Sequence, residues 1–156
     1  MKELRRKDKQ ISIEEAMGLL TEGEYGILST VGADGQPYGV PLNYVYKNNT
    51  IYFHCALIGH KLDNLESNTK VSFCVVGETK VLPSEFSTEF ISTVVFGIAS
   101  EVQGEERYDG FLWILEKYSP EYIEKGKKYI EKMDKATKLI KIDIQHISGK
   151  KAPVKA

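Results

Sequence analysis

The spacing of apolar residues divides the chain into a short helix, a run of strands, two further helices and a closing strand. Ser12-Ile13-Glu14-Glu15 has the spacing of a capping box, in which a serine hydroxyl and a glutamate three residues later satisfy the first free amides. Behind it Ile13, Ala16, Met17 and Leu20 recur at helical spacing and Gly23 offers a stop, predicting a short helix with one buried face. From Tyr25 the texture is β. A strand is expected over 26–31, a hairpin turn at Gly32-Ala33-Asp34-Gly35 and a second strand over 36–46. Pro37 and Pro41 lack an amide donor, so this second strand belongs at an edge, at a bulge, or turned toward a ligand. Lys47-Asn48-Asn49-Thr50 is a turn and 51–55 a third strand.

A loop over 56–60 then leads into a short helix from Lys61 to Ser67, and 71–76 is strand again. The mixed, polar stretch 77–88 is expected to be a mobile loop, ahead of a long β segment over 90–102. Tyr108, Phe111, Leu112 and Leu115 mark a helix, and Ser119-Pro120 starts another lined by Tyr122, Ile123, Gly126, Tyr129, Ile130 and Met133. Ile140, Ile142 and Ile144 alternate with Lys141, Asp143 and Gln145 as a half-buried strand does, with His146 at its end. Antiparallel strands with helices at the ends predict an α+β barrel over a parallel α/β sheet.

Composition narrows the class. The 156 residues suit one domain, 42% of them are hydrophobic and 28% charged, and the formal net charge is −1. That balance provides no global field for nucleic acid or an anionic membrane. No apolar run is long enough to span a bilayer. The amino-terminal stretch lacks the apolar segment of a secretory signal, and Cys55 and Cys74 read as reduced, buried thiols, so a cytoplasmic setting is expected.

Candidate chemistry concentrates between Gly35 and Leu65, in DGQPYGVPLNYVY, IYFHCA and GHKLDNL. Two paired strands deliver a loop to the start of a helix at Gly59-His60-Lys61. A helix amino end offers free amides and partial positive charge to an anion, Gly59 permits close approach, and Lys61 adds a full charge. Metal binding by His54 and Cys55 is disfavoured, because neighbours in a strand point to opposite faces. Cys55 as a nucleophile would need a lowered pKa, which a nearby Lys61 could assist; a small packed side chain is the simpler reading. His146 reads as structural. Tyr44, Tyr46 and Trp113 read as core or interface aromatics, and 121–138 as a solvated helix face.

In these blocks, in Ser92-Thr93-Val94-Val95-Phe96-Gly97 and in His146-Ile147-Ser148-Gly149-Lys150, the chain resembles FMN-binding split-barrel proteins related to pyridoxamine 5′-phosphate oxidase. The subgroup it resembles is that of nitroimidazole-resistance proteins, and the likeness runs roughly from Arg5 to Lys151. The resemblance implies an antiparallel split barrel of six to eight strands with peripheral helices, spanning 1–156 as one FMN-binding domain, with 1–10 as an arm and 150–156 as a tail. It implies that Val40, Pro41, Leu42 and Asn43 lie along the flavin ring, largely through backbone groups, with Pro41 and Asn43 toward its edge. It further implies that His54, Cys55, Ala56, His60 and Lys61 hold the ribityl phosphate. Ser92 and Thr93 approach from a partner subunit, and Lys150 reaches in from the chain end. A homodimer with the flavin site at its interface follows.

The function implied is reduction of a small planar acceptor such as a nitroaromatic or quinone, with no catalytic side chain singled out. A non-catalytic FMN binder or electron relay, and a barrel holding haem or a deazaflavin, are the alternatives. One departure bears on substrate. The only arginines are Arg5, Arg6 and Arg107, none of them in the central motif, and a second phosphate would lack the bidentate clamp that arginine provides. True pyridoxamine 5′-phosphate oxidase activity is therefore not expected.

Overall fold

A computed structural model describes residues 1–152. Among these residues seven antiparallel strands form one sheet: β1 (Gly26–Val31), β2 (Pro37–Leu42), β3 (Val45–Lys47), β4 (Thr50–Cys55), β5 (Lys70–Leu82), β6 (Ser87–Glu101) and β7 (Lys138–Ala152). Their order is β2-β1-β5-β6-β7-β4-β3. The edges are thus β2 and β3, which only Asn43 and Tyr44 separate in the chain, so the sheet curls until its two ends are neighbours. This α+β arrangement is the barrel that the strand pattern implied and the split barrel that the resemblance implied, with four helices around it among the described residues: α1 (Ile13–Glu22), α2 (His60–Ser67), α3 (Gly104–Tyr118) and α4 (Ile123–Met133).

Local chemistry explains most boundaries. The Ser12 hydroxyl accepts from the Glu15 amide at 3.1 Å, and the Gly23 amide donates to the Leu19 carbonyl to close α1. On this helix Ala16 and Leu20 are fully buried and Ile13 is exposed, so the buried face lies further round than the four-residue periodicity placed it. Asn48 and Asn49 both have positive φ (50° and 58°), the conformation that a two-residue hairpin turn with the sheet's own twist demands.

Two cores result. Leu28, Ile51, Phe53, Phe73, Val75, Val95 and Ile142 fill the barrel beneath α1. Outside it, Val45, Tyr52, Val102 and Leu139 pack against Phe111 and Ile114 of α3. β4 lies between them, which is why Thr50 through Phe53 are all buried without alternation.

Four expectations from the sequence are corrected. The strand expected over 36–46 breaks at Asn43-Tyr44, because Tyr44 turns wholly inward and its hydroxyl donates to the Leu20 carbonyl at 2.5 Å. The stretch 77–88 is no loop. It continues β5 and β6 as a hairpin, with an irregularity between Val76 and Thr79 and a short 3-10 turn at Pro83–Glu85; its polar residues face solvent on both sides. Pro120 opens a 3-10 turn (Pro120–Tyr122) before α4 begins, and Ser119 makes no side-chain cap. Finally, β7 does not end at His146. It passes a bulge opposite Phe96 and Gly97 and runs to Ala152, so 150–152 are strand; the rest of the expected tail, 153–156, lies outside the described residues.

Candidate functional site

The split between the sheet's two ends is crossed by α2, which takes the chain from the end of β4 back over β1. Asn64 of α2 is buried and its amide donates to the Thr30 hydroxyl of β1 at 2.9 Å. Buried polar groups are hydrogen-bonded, and this bond ties α2 to β1. The amino end of α2 therefore stands at a defined place, beside edge strand β2, where the His60 ring stacks on Tyr38 with centroids 3.9 Å apart. Gly59 precedes it with φ 157° and no side-chain cap. The first-turn amides of a helix have no partner within it, so this end presents donors outward.

Lys61 is close enough to influence both His54 and Cys55. His54 is exposed on β4, and partial desolvation by its neighbours, then the Lys61 charge, holds its imidazole below its ordinary pKa. Burial pushes the Cys55 thiol up, against a smaller opposing pull from Lys61 and Lys138. Cys55 is therefore a neutral packed thiol, as the simpler reading had it. His54 faces the other way, toward α3, with its ring 6.3 Å from that of Phe111. Ala56 is exposed just beyond.

Within one chain the expected site residues fall into two groups. Val40 to Asn43, His54 to Ala56, His60 and Lys61 gather around the split. Val40 and Leu42 turn their side chains into the barrel core, which leaves their backbone, together with exposed Pro41 and Asn43, toward solvent. Ser92, Thr93 and Lys150 are elsewhere. Ser92 pairs with Lys150 across β6 and β7, whereas Cys55 pairs with Lys138, twelve residues earlier on that same β7 strand. The Thr93 hydroxyl is already committed: it is fully buried and donates to the Ala16 carbonyl at 3.0 Å. The His146 ring stacks on Phe96 at 6.2 Å, on the half-exposed outer face of β6 and β7.

A clamp the sequence did not disclose supports the split from behind. At the end of α3 the Lys117 ammonium donates to the carbonyls of Gly23 (2.6 Å) and Tyr44 (2.9 Å) and sits 3.9 Å from the Tyr44 ring. The Tyr118 hydroxyl accepts from the Tyr44 amide at 3.0 Å and donates to the Glu24 carbonyl. Both pin the break between β2 and β3. Burial pushes Lys117 down to about 8. Only its place in the last turn of α3 marked it, and that reads as ordinary complement to the helix dipole.

Two of the three arginines are paired away from α2. Arg6 pairs with Asp8 in the exposed amino-terminal segment. Arg107 pairs with Asp134 and donates to the Thr137 carbonyl, tying α3 to the start of β7.

An anion at the start of α2, with a flat group along the open edge of β2, is the chemistry this arrangement fits best. The uncapped amides and the Lys61 ammonium suit a phosphate, and exposed Pro41 and Asn43 leave room beside them.

Comparison with known proteins bears on this geometry. Residues 12–151 match the family model described as pyridoxamine 5′-phosphate oxidase. An uncharacterised protein of Rhizobium meliloti is 31% identical over 121 residues, covering 74% of each chain. Among solved structures, a candidate 5-nitroimidazole antibiotic resistance protein from Bacteroides thetaiotaomicron superposes with a TM-score of 0.74 at 20% identity, over 90% of this chain and 85% of its own. A FAD and haem binding protein from Mycobacterium smegmatis does so at 0.79 and 19% identity, over 95% and 77%.

Proposed function

Because the chain belongs to the pyridoxamine 5′-phosphate oxidase family, we propose that it is an FMN-binding flavoprotein of one domain that reduces a small planar acceptor, a nitroaromatic or quinone. The observation carrying this reading is the fixed amino end of α2. Its free amides and Lys61 stand beside His54 of β4 and the open edge of β2. Lys61 and the amides of α2 bind the phosphate, which is desolvated and met by charge-assisted hydrogen bonds. The backbone of Val40 to Asn43 orients the ring, and Pro41, which has no N–H, leaves an edge position free of a donor. FMN, when bound, supplies the electron transfer itself, so no acid–base pair is required of the protein.

Ser92 of β6 and Lys150 of β7 would join this site from a second copy, since within the chain they lie far along those strands from it. A homodimer with the flavin between subunits therefore accompanies the proposal. The family's namesake reaction is not proposed: Arg6 and Arg107 are paired elsewhere, and Lys61 is the one cation argued to stand at the α2 end. The reading is tested by titrating the purified protein with FMN and following flavin absorbance. Anaerobic reduction and addition of nitroaromatics or quinones come next. Saturable binding and reoxidation by an acceptor support it; absence of flavin uptake removes it. Flavin uptake without reoxidation favours the relay or non-catalytic binder. His54 at the edge of an apolar wall makes haem the specific competitor, and a Soret band in place of a flavin spectrum would identify it.

A further inference from the structure

Between α3, α4 and the end of β4 lies an open cavity of about 470 Å³, within the range of small-molecule sites. It adjoins the amino end of α2, sharing His54, Cys55 and Ala56 with the expected phosphate site, and extends from there between α3 and α4. Its construction is unusual for space between packed helices. The helices cross closely at one point: a Cβ on Gly126 would lie 2.2 Å from the Leu115 side chain. Beyond that crossing they diverge. The apolar side of α4, with Ile130 and Met133, then faces the void, and no residue of α4 is fully buried. An amphipathic helix ordinarily seats its apolar stripe on a core, and a void forfeits those contacts.

The chemistry of the wall restricts what can fill it. Phe111, Ile114, Leu115 and Ile130 are among its apolar lining, and the polar side-chain groups are hydroxyls, one imidazole and one thiol. None of the fourteen lining residues is a carboxylate, ammonium or guanidinium. His54 is held toward its neutral form and Cys55 toward the thiol. Lys61 and Lys138 act on its Cys55 end from outside the lining, but a charged group seated between α3 and α4 meets no counter-charge from the lining residues. The body of the cavity therefore suits neither the phosphate of a flavin nor another ionised group.

We infer that this cavity binds an uncharged aromatic molecule of one or two rings, presented against His54. This binding does not rest on the proposed function. The ligand class narrows accordingly: neutral nitroaromatics and quinones are taken, and their sulfonated or carboxylated counterparts are refused.

The test uses the full chain, with and without FMN, and no reductant. 4-Nitrotoluene and 4-nitrobenzenesulfonate are titrated by calorimetry against wild type, Ala136→Trp and Ser119→Lys. Ala136 is at the exposed rim, where an indole fills the opening, and Ser119 holds its place through backbone bonds, so both variants keep the fold. The expected result is that wild type binds the neutral compound at least tenfold more tightly than the sulfonate. Ala136→Trp weakens that binding tenfold or more, and Ser119→Lys reduces the preference over the sulfonate at least tenfold. No binding of 4-nitrotoluene, equal binding of the two compounds, or affinities that either variant leaves unchanged would overturn the inference. Flavin absorbance in the same samples reports the proposed function separately, because neither substitution touches α2 or β2.

Discussion

Lys117 is the residue with the most consequence for its size. It places an ammonium against two carbonyls and an aromatic face at the junction of α1, β1 and the β2–β3 break. Replacing it by methionine leaves the Gly23 and Tyr44 carbonyls short of a donor, and a loss of about 1–3 kcal/mol is expected at pH 7. The pH dependence has a definite sign. Folding lowers its pKa from 10.5 to about 8, so between those values the unfolded chain holds more protons. Stability from this group therefore rises with pH across that window. The gap between wild type and Lys117→Met in urea titrations should widen from pH 8 to 10, and a constant gap would refute the shift. Above pH 10 both proteins lose stability, because burial holds Tyr44 and Tyr118 above their ordinary value and only the unfolded chain ionises freely. Lys61 makes the complementary prediction for function. Lys61→Ala should weaken FMN binding by roughly 1.5–3 kcal/mol, the worth of one charge-assisted hydrogen bond, read as a rise in Kd of roughly tenfold to hundredfold. His60→Ala should be milder, since the α2 amides remain.

At the scale of elements, strand β6 is where spacing matters most. Gly97 sits at the bulge where β7 gains an extra residue, and a Cβ there would lie 2.5 Å from the Asp143 carbonyl oxygen and 2.6 Å from Ile142. Backbone cannot rotate away as a side chain can, so Gly97→Ala should cost about 1–3 kcal/mol and lower the urea midpoint at unchanged slope. The long hairpin of β5 and β6 shows the limit of local reading. Its outer part alternates polar residues on both faces, which removes the amphipathic signal by which strands are recognised, yet its register Thr79–Phe90 to Leu82–Ser87 is unbroken. The helix start at Ser12, the turn at Asn48-Asn49 and the strand at 26–31 were legible because each is fixed by neighbours in sequence.

At the scale of the molecule, the distribution of the candidate site residues sets the expectation for assembly. One group lies at the split and the other at the far end of β6 and β7, beside half-exposed apolar residues such as Phe96 and Val76. In the proposed homodimer, a two-fold arrangement of copies would let each complete the other's site. Light scattering should return twice the chain's mass for the FMN-loaded protein. Ser92→Glu should weaken flavin binding if the second copy contributes this position. A monomer that binds FMN with full affinity would show that the split suffices alone.

What the sequence determined by itself were the features with short-range causes: the cap at Ser12, the period of the strands, the glycine and lysine at the start of α2, and the motif order by which its family resemblance shows. Such features depend on residues within a few positions of each other, and those interactions exist whatever the rest of the chain does. Tertiary structure alone decided the rest. It turned Tyr44 inward to break a strand, joined Lys117 to Gly23 across 94 positions, and committed the Thr93 hydroxyl to α1. It also left a void under α4. Those outcomes follow from how packed elements share space, and no local pattern carries that information.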